Sequence, residues 1–122
     1  MIDHIELKTR DLAASVCFYQ AVLKPLGYSQ TVDGKAKGFG DGSGPDFFLV
    51  AGDPADATHY AFRASDRATV RACWEAGRAF DALDNPPALA PQVHANYYAG
   101  YLRDPDGRLV EFTCHKAEDS ER

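Results

Sequence analysis

Two histidines and one glutamate are the residues in this sequence whose types and positions could hold a metal ion. His4 lies in the opening alternating run from Ile2 to Lys8, His59 in a second run from Thr58 to Ala64, and Glu111 in a third from Arg108 to His115. Two neutral imidazoles and a carboxylate form a ligand set for a divalent first-row ion, with positions left open for substrate or water. Zn, Mn, Ni, Co and Fe are all compatible with it. Whether three residues so far apart can meet depends on the elements that carry them.

The first run alternates Ile5 and Leu7 with His4, Glu6 and Lys8, the pattern of a half-buried strand. Asp11 then offers an N-cap, and Leu12, Val16, Tyr19 and Leu23 recur along one helix face, which ends before Pro25 and Gly27. Tyr28 to Val32, Ala36 to Gly40 and Asp46 to Ala51 read as three strands broken by Asp33-Gly34 and by the Gly-rich stretch from Gly40 to Pro45. The second half repeats this order. Its helix is capped by Asp66 or Ser65 and carries Val70, Cys73, Trp74, Gly77 and Phe80 inward, and two later strands span Asn96 to Arg103 and Arg108 to His115. His4 and His59, Asp11 and Asp66, and Tyr19 and Trp74 are each 55 residues apart, so strand histidine, cap and buried aromatic recur at one offset, as in an internal duplication.

Strand alternation places His59, Ala61 and Arg63 on one face and Tyr60 and Phe62 on the other. In the last strand it sets Leu109, Glu111, Thr113 and His115 against Val110, Phe112 and Cys114. The faces holding His4, His59 and Glu111 are those turned away from the helices, and they would share a concavity if the sheets curve together. Around it, His94 in the loop before a strand could serve as a general acid or base. One of Tyr97 and Tyr98 would face the cavity, and Arg63 or Arg103 could receive an anionic group. Asp104 and Asp106 read as turn formers of the Asp104-Pro105-Asp106-Gly107 hairpin. Cys17, Cys73 and Cys114 read as small buried hydrophobes.

With 122 residues and 45% hydrophobic content, a single domain is expected. The net charge of −5, with no basic run, argues against nucleic acid as a partner. No apolar run approaches the roughly 18 to 20 residues of a membrane span. Three unpaired cysteines and the absence of a signal segment at the start point to a reducing, cytoplasmic setting.

His4, Asp11, Phe18-Tyr19, Leu26-Gly27, His59 and the stretch from Tyr98 through Asp104-Pro105-Asp106-Gly107 to Glu111 together resemble the vicinal oxygen chelate superfamily of glyoxalases, bleomycin-resistance proteins and dioxygenases. The resemblance spans residues 2 to 115. It implies an α+β fold of two βαβββ modules forming an open, curved mixed sheet, module 1 covering about 1–53 and module 2 about 57–115, with 116–122 a flexible tail. It also implies one divalent metal per chain on His4, His59 and Glu111, with Glu111 catalytic as well. The implied function is glyoxalase-like: a lyase or isomerase acting on a small substrate that offers two oxygens, with transferase and dioxygenase activities as variants. Glyoxalase I takes a fourth ligand from the last strand of its first module, and Asp46-Phe47-Phe48-Leu49-Val50 offers none at its centre. A homodimer is expected, side by side or swapped, and a symmetric pair would create two equivalent sites in which His4 from one chain can meet His59 and Glu111 of the other. The rival reading is a metal-free protein that sequesters a ligand, as bleomycin-resistance proteins do.

Overall fold

The computed structural model of the protein describes residues 2–54 and 59–118. Thr58, the expected start of the fifth strand, and the last four residues of the charged tail lie outside the described residues. The elements run β1 (Ile5–Thr9), α1 (Leu12–Val22), β2 (Ser29–Asp33), β3 (Lys37–Gly40), β4 (Pro45–Ala51), β5 (Tyr60–Arg63), α2 (Arg67–Ala76), β6 (Ala88–Leu89), β7 (Tyr98–Arg103) and β8 (Leu109–Cys114), with short 3-10 turns after each helix. They form two four-stranded mixed sheets, ordered β1-β4-β3-β2 and β5-β8-β7-β6. In each, the first strand runs parallel to the last and the other pairs are antiparallel. The βαβββ unit thus occurs twice with the same strand order, one open mixed sheet to each module, as the resemblance implies.

Local chemistry explains the repeated helix starts. Asp11 Oδ1 accepts the backbone N–H of Ala14 at 3.0 Å, and Asp66 Oδ1 accepts that of Thr69 at 2.8 Å, satisfying one exposed donor at each helix start. The sequence reading missed β6, because its two residues lie inside the Pro-rich loop and have no periodicity to display. It also began β7 two residues early and carried α2 too far. The helix ends at Ala76, and Phe80 is 40% exposed, with its ring edge-on to Phe18 at 5.5 Å. Cys73 and Cys114 are buried as expected, while Cys17 is exposed. Burial pushes the Cys73 thiol up to about 12, which keeps it an inert thiol.

One core serves both halves. Phe18, Tyr19, Val22, Phe47 and Leu49 from the first half and Val70, Cys73, Val110, Phe112 and Cys114 from the second belong to a single buried cluster. Phe47 meets Phe62 at 5.3 Å and Tyr60 at 6.0 Å between ring centroids. Each large side chain buried there contributes roughly 1.5–3 kcal/mol, so the apolar face of each sheet is fixed toward this core. The polar faces, one beginning at His4 and the other carrying Glu111, are therefore turned away from it. No helix among the described residues is long and apolar enough to cross a membrane.

A buried polar strut ties the halves together at the hairpin between β7 and β8. Asp104 Oδ1 accepts the backbone N–H of Asp106 at 2.9 Å and of Arg108 at 2.8 Å, the turn-forming role read from the sequence. Gly107, at φ 85°, closes the turn where an L side chain would be strained. Asp104 Oδ2 also takes the Arg108 guanidinium at 3.0 Å and the Tyr19 hydroxyl at 2.7 Å. Arg108 Nη2 reaches across to the carbonyl of Lys8 in β1, and the Tyr19 and Tyr60 hydroxyls are hydrogen-bonded to each other. Burial first, then its Tyr60 and Asp104 neighbours, raises the Tyr19 phenol well above its ordinary value, so it stays a donor.

Candidate functional site

Glu111 lies on β8, the strand flanked by β5 and β7, in register with Ala61 on one side and Tyr101 on the other. Parity along β8 sends Val110 and Phe112 into the core and Glu111 to the opposite face. His59 stands one residue before β5, with Nε2 at 2.8 Å from Glu111 Oε1. The Tyr97 hydroxyl donates to Glu111 Oε2 at 2.5 Å. Glu111 is only 4% exposed, and a carboxylate so withdrawn from water requires partners of this kind. Burial and the contact with Glu111 raise the Tyr97 phenol above its ordinary value, and Tyr101 is raised for the same reasons. Both are therefore donors at neutral pH.

A cavity of about 600 Å³ opens beside this group, lined by His59, Tyr101, Leu109, Ala99, Leu89 and Arg103 among others. Its lining mixes apolar side chains with the polar His59, Tyr101 and Arg103. Arg103 is already engaged, its guanidinium donating to Asp84 at 2.9 Å and to the Gly107 carbonyl at 3.1 Å. His94 stands outside the first ring of contacts to Glu111: its Nε2 is 3.0 Å from His115 Nδ1 and its Nδ1 accepts the Asn96 N–H at 3.2 Å. Of the two adjacent tyrosines, Tyr97 is the one on the Glu111 side. Tyr98 packs toward α2, where Arg71 donates to its hydroxyl at 3.3 Å and the Arg67 guanidinium lies 5.2 Å from its ring centroid.

His4 is elsewhere. Its side chain is 53% exposed, hydrogen-bonded through Nδ1 to Asp3 at 2.7 Å and edge-on to Phe48 at 5.4 Å. It borders a hollow of about 220 Å³ together with Arg63, Tyr28 and Asp46. Within one chain the structure therefore brings His59 and Glu111 together and places His4 and Arg63 on a different part of the surface. Among the described residues no three of His, Cys, Asp and Glu converge in a metal-holding group. His59 and Glu111 are of ligand type, and the 2.8 Å between Nε2 and Oε1 is the length of a hydrogen bond between them; an imidazole and a carboxylate fit two ligands of a divalent ion in chemistry.

Tyr101 is the site residue that sequence reasoning missed. The signal was available: Tyr97, Ala99, Tyr101 and Arg103 share a face by parity, and Tyr101 falls opposite Glu111 once β7 and β8 are paired through the Asp104–Gly107 turn.

A family model described as the Glyoxalase/Bleomycin resistance protein/Dioxygenase superfamily matches residues 1–112. A search of curated proteins finds no match. Among solved structures, a glyoxalase/bleomycin resistance protein from Albidiferax ferrireducens T118 is 26% identical, with a TM-score of 0.78 over 91% of this chain and 96% of that one. A lactoylglutathione lyase from Agrobacterium tumefaciens shares the fold at 23% identity and a TM-score of 0.68, covering 93% and 92%. A genomically encoded fosfomycin resistance protein from Listeria monocytogenes does so at 20% identity and a TM-score of 0.69, covering 93% and 91%.

Proposed function

The chain belongs to the Glyoxalase/Bleomycin resistance protein/Dioxygenase superfamily, and from that premise we propose that it is a metal-dependent enzyme of the glyoxalase type, working as a homodimer. In this reading His59 and Glu111 of one copy are joined by His4 of the second. The single observation that carries it is the buried Glu111 carboxylate paired with His59 at 2.8 Å beside a cavity of about 600 Å³. The placement of His4, half exposed and outside the cavity that His59 lines, supports assembly between copies. Unpaired edge strands and an exposed apolar rim at Leu89 and Val93 offer surface for a second copy.

A divalent ion held there would supply Lewis acidity toward an enolate or oxyanion forming on a small substrate with two adjacent oxygens. His59 and Glu111 would hold it, and the Tyr101 hydroxyl with Leu109 and Ala99 of the cavity lining would orient the substrate. Lyase or isomerase chemistry is the first assignment, and the fold is shared by a lactoylglutathione lyase and a fosfomycin resistance protein. The second reading, a metal-free binder, is favoured by one feature: His59 and Tyr97 already satisfy both oxygens of Glu111 without an ion.

Metal content separates the two. Wild type reconstituted with Mn, Co, Ni, Zn or Fe and then dialysed is expected to keep one ion per chain by elemental analysis. His4→Ala, His59→Ala and Glu111→Ala are each expected to lose it, while Arg63→Ala keeps it. Wild type emptied by dialysis would establish the binder instead, and three variants that retain as much as wild type would remove His4, His59 and Glu111 as the ligands.

A further inference from the structure

The geometry assigns Tyr97 as a positioning residue that holds Glu111 with one carboxylate oxygen turned to His59 and the other tied back to the loop. This rests on the metal reading above and adds to it a residue outside the ligand set. The Tyr97 hydroxyl lies 2.5 Å from Glu111 Oε2 while His59 Nε2 meets Oε1 at 2.8 Å. An O–H···O⁻ bond of that length is charge-assisted and about twice as strong as a neutral one. Oε1, on the His59 side, is thus the oxygen left to turn with His59 toward an ion.

Tyr97 precedes β7 and is held by its backbone hydrogen bonds and by its ring. Its N–H donates to the His94 carbonyl at 3.1 Å and its carbonyl accepts the Ala90 N–H at 2.8 Å. Its ring stands edge-on against two imidazoles, His94 at 5.5 Å and 89° and His115 at 5.0 Å and 88°. Those imidazoles are joined to each other at 3.0 Å. Because His94 Nδ1 accepts the Asn96 N–H, the neutral ring carries its proton on Nε2 and donates it to His115 Nδ1. The histidine pair is thus a clamp on the tyrosine ring. A ligating carboxylate depends on such an outer partner for its orientation, and removing one lowers metal affinity roughly 10–100-fold.

Tyr97→Phe deletes one oxygen and keeps the clamped ring. Chelator-competition titration with Co(II) is expected to show affinity lowered about 10–100-fold, with the visible bands of the bound Co(II) altered. The buried carboxylate loses one hydrogen bond, so the melting temperature of the metal-free protein should fall modestly; the altered Co(II) spectrum, which a merely structural loss would not move, separates positioning from general support of the fold. His94→Ala, which removes one wall of the clamp and leaves the hydroxyl, is expected to weaken Co(II) binding less. If wild type binds Co(II) and Tyr97→Phe binds it with the same affinity and spectrum, or if His94→Ala matches or exceeds the tyrosine variant, the assignment is overturned while the metal reading stands. Wild type that binds no Co(II) removes both.

Discussion

Mixing His4→Ala with Glu111→Ala copies is expected to restore about one quarter of the wild-type metal content, although neither variant alone retains any. The reason is geometric. In a symmetric dimer whose sites lie between copies, each site takes its first-strand histidine from one chain and its last-strand glutamate from the other. After joint unfolding and refolding, random pairing makes about half of the dimers mixed, and each mixed dimer has one site with His4, His59 and Glu111 all present and one lacking both altered residues. A site built within a single chain would recover nothing, because every chain in the mixture carries a defect. The separation of His4 from the His59–Glu111 pair, with its own neighbours Asp3 and Phe48, is what predicts recovery. Co(II) absorbance of the refolded mixture reads the result, and a mixture as empty as its components would place the whole site in one chain or nowhere.

Arg108→Ala is expected to lower the free energy of unfolding by about 3–5 kcal/mol, measured by urea titration, because it leaves a buried carboxylate without its cation. Asp104 and Arg108 are each 4% exposed, and the pair joins β8 to the Lys8 carbonyl in the other half and to Tyr19 on α1. The exposed pair between Arg103 and Asp84 provides the contrast: Arg103→Ala should cost no more than about 1 kcal/mol. Equal losses in the two variants would show that the strut contributes nothing beyond an ordinary surface pair.

The duplicated order was legible because it rests on short-range chemistry. Asp11 and Asp66 cap helices through bonds made within three residues, and alternation in β1, β5 and β8 fixes which side chains face the core. The facing of His59 and Glu111 follows from the same parity. The relation between the halves was not legible, because it depends on Phe47 meeting Phe62 and on the strut from Arg108 to Lys8, contacts that no periodicity encodes. That relation decides that His4 and Glu111 do not share a concavity within one chain. Asp104 shows the same limit at one residue: its turn role is written in the Pro105-Asp106-Gly107 that follows it, whereas its pairing with Tyr19, 85 residues away in sequence, is not. Tyr97 was visible as a candidate for the cavity, but its hydrogen bond to Glu111 depends on how the loop before β7 closes.

Native mass spectrometry of the metal-reconstituted protein tests the central claim most directly, since it counts chains and ions in one species. A dimer carrying two divalent ions is the predicted result, with the ions absent from the His59→Ala dimer. A monomer of 13.3 kDa, or a dimer that carries no ion after reconstitution, would contradict it.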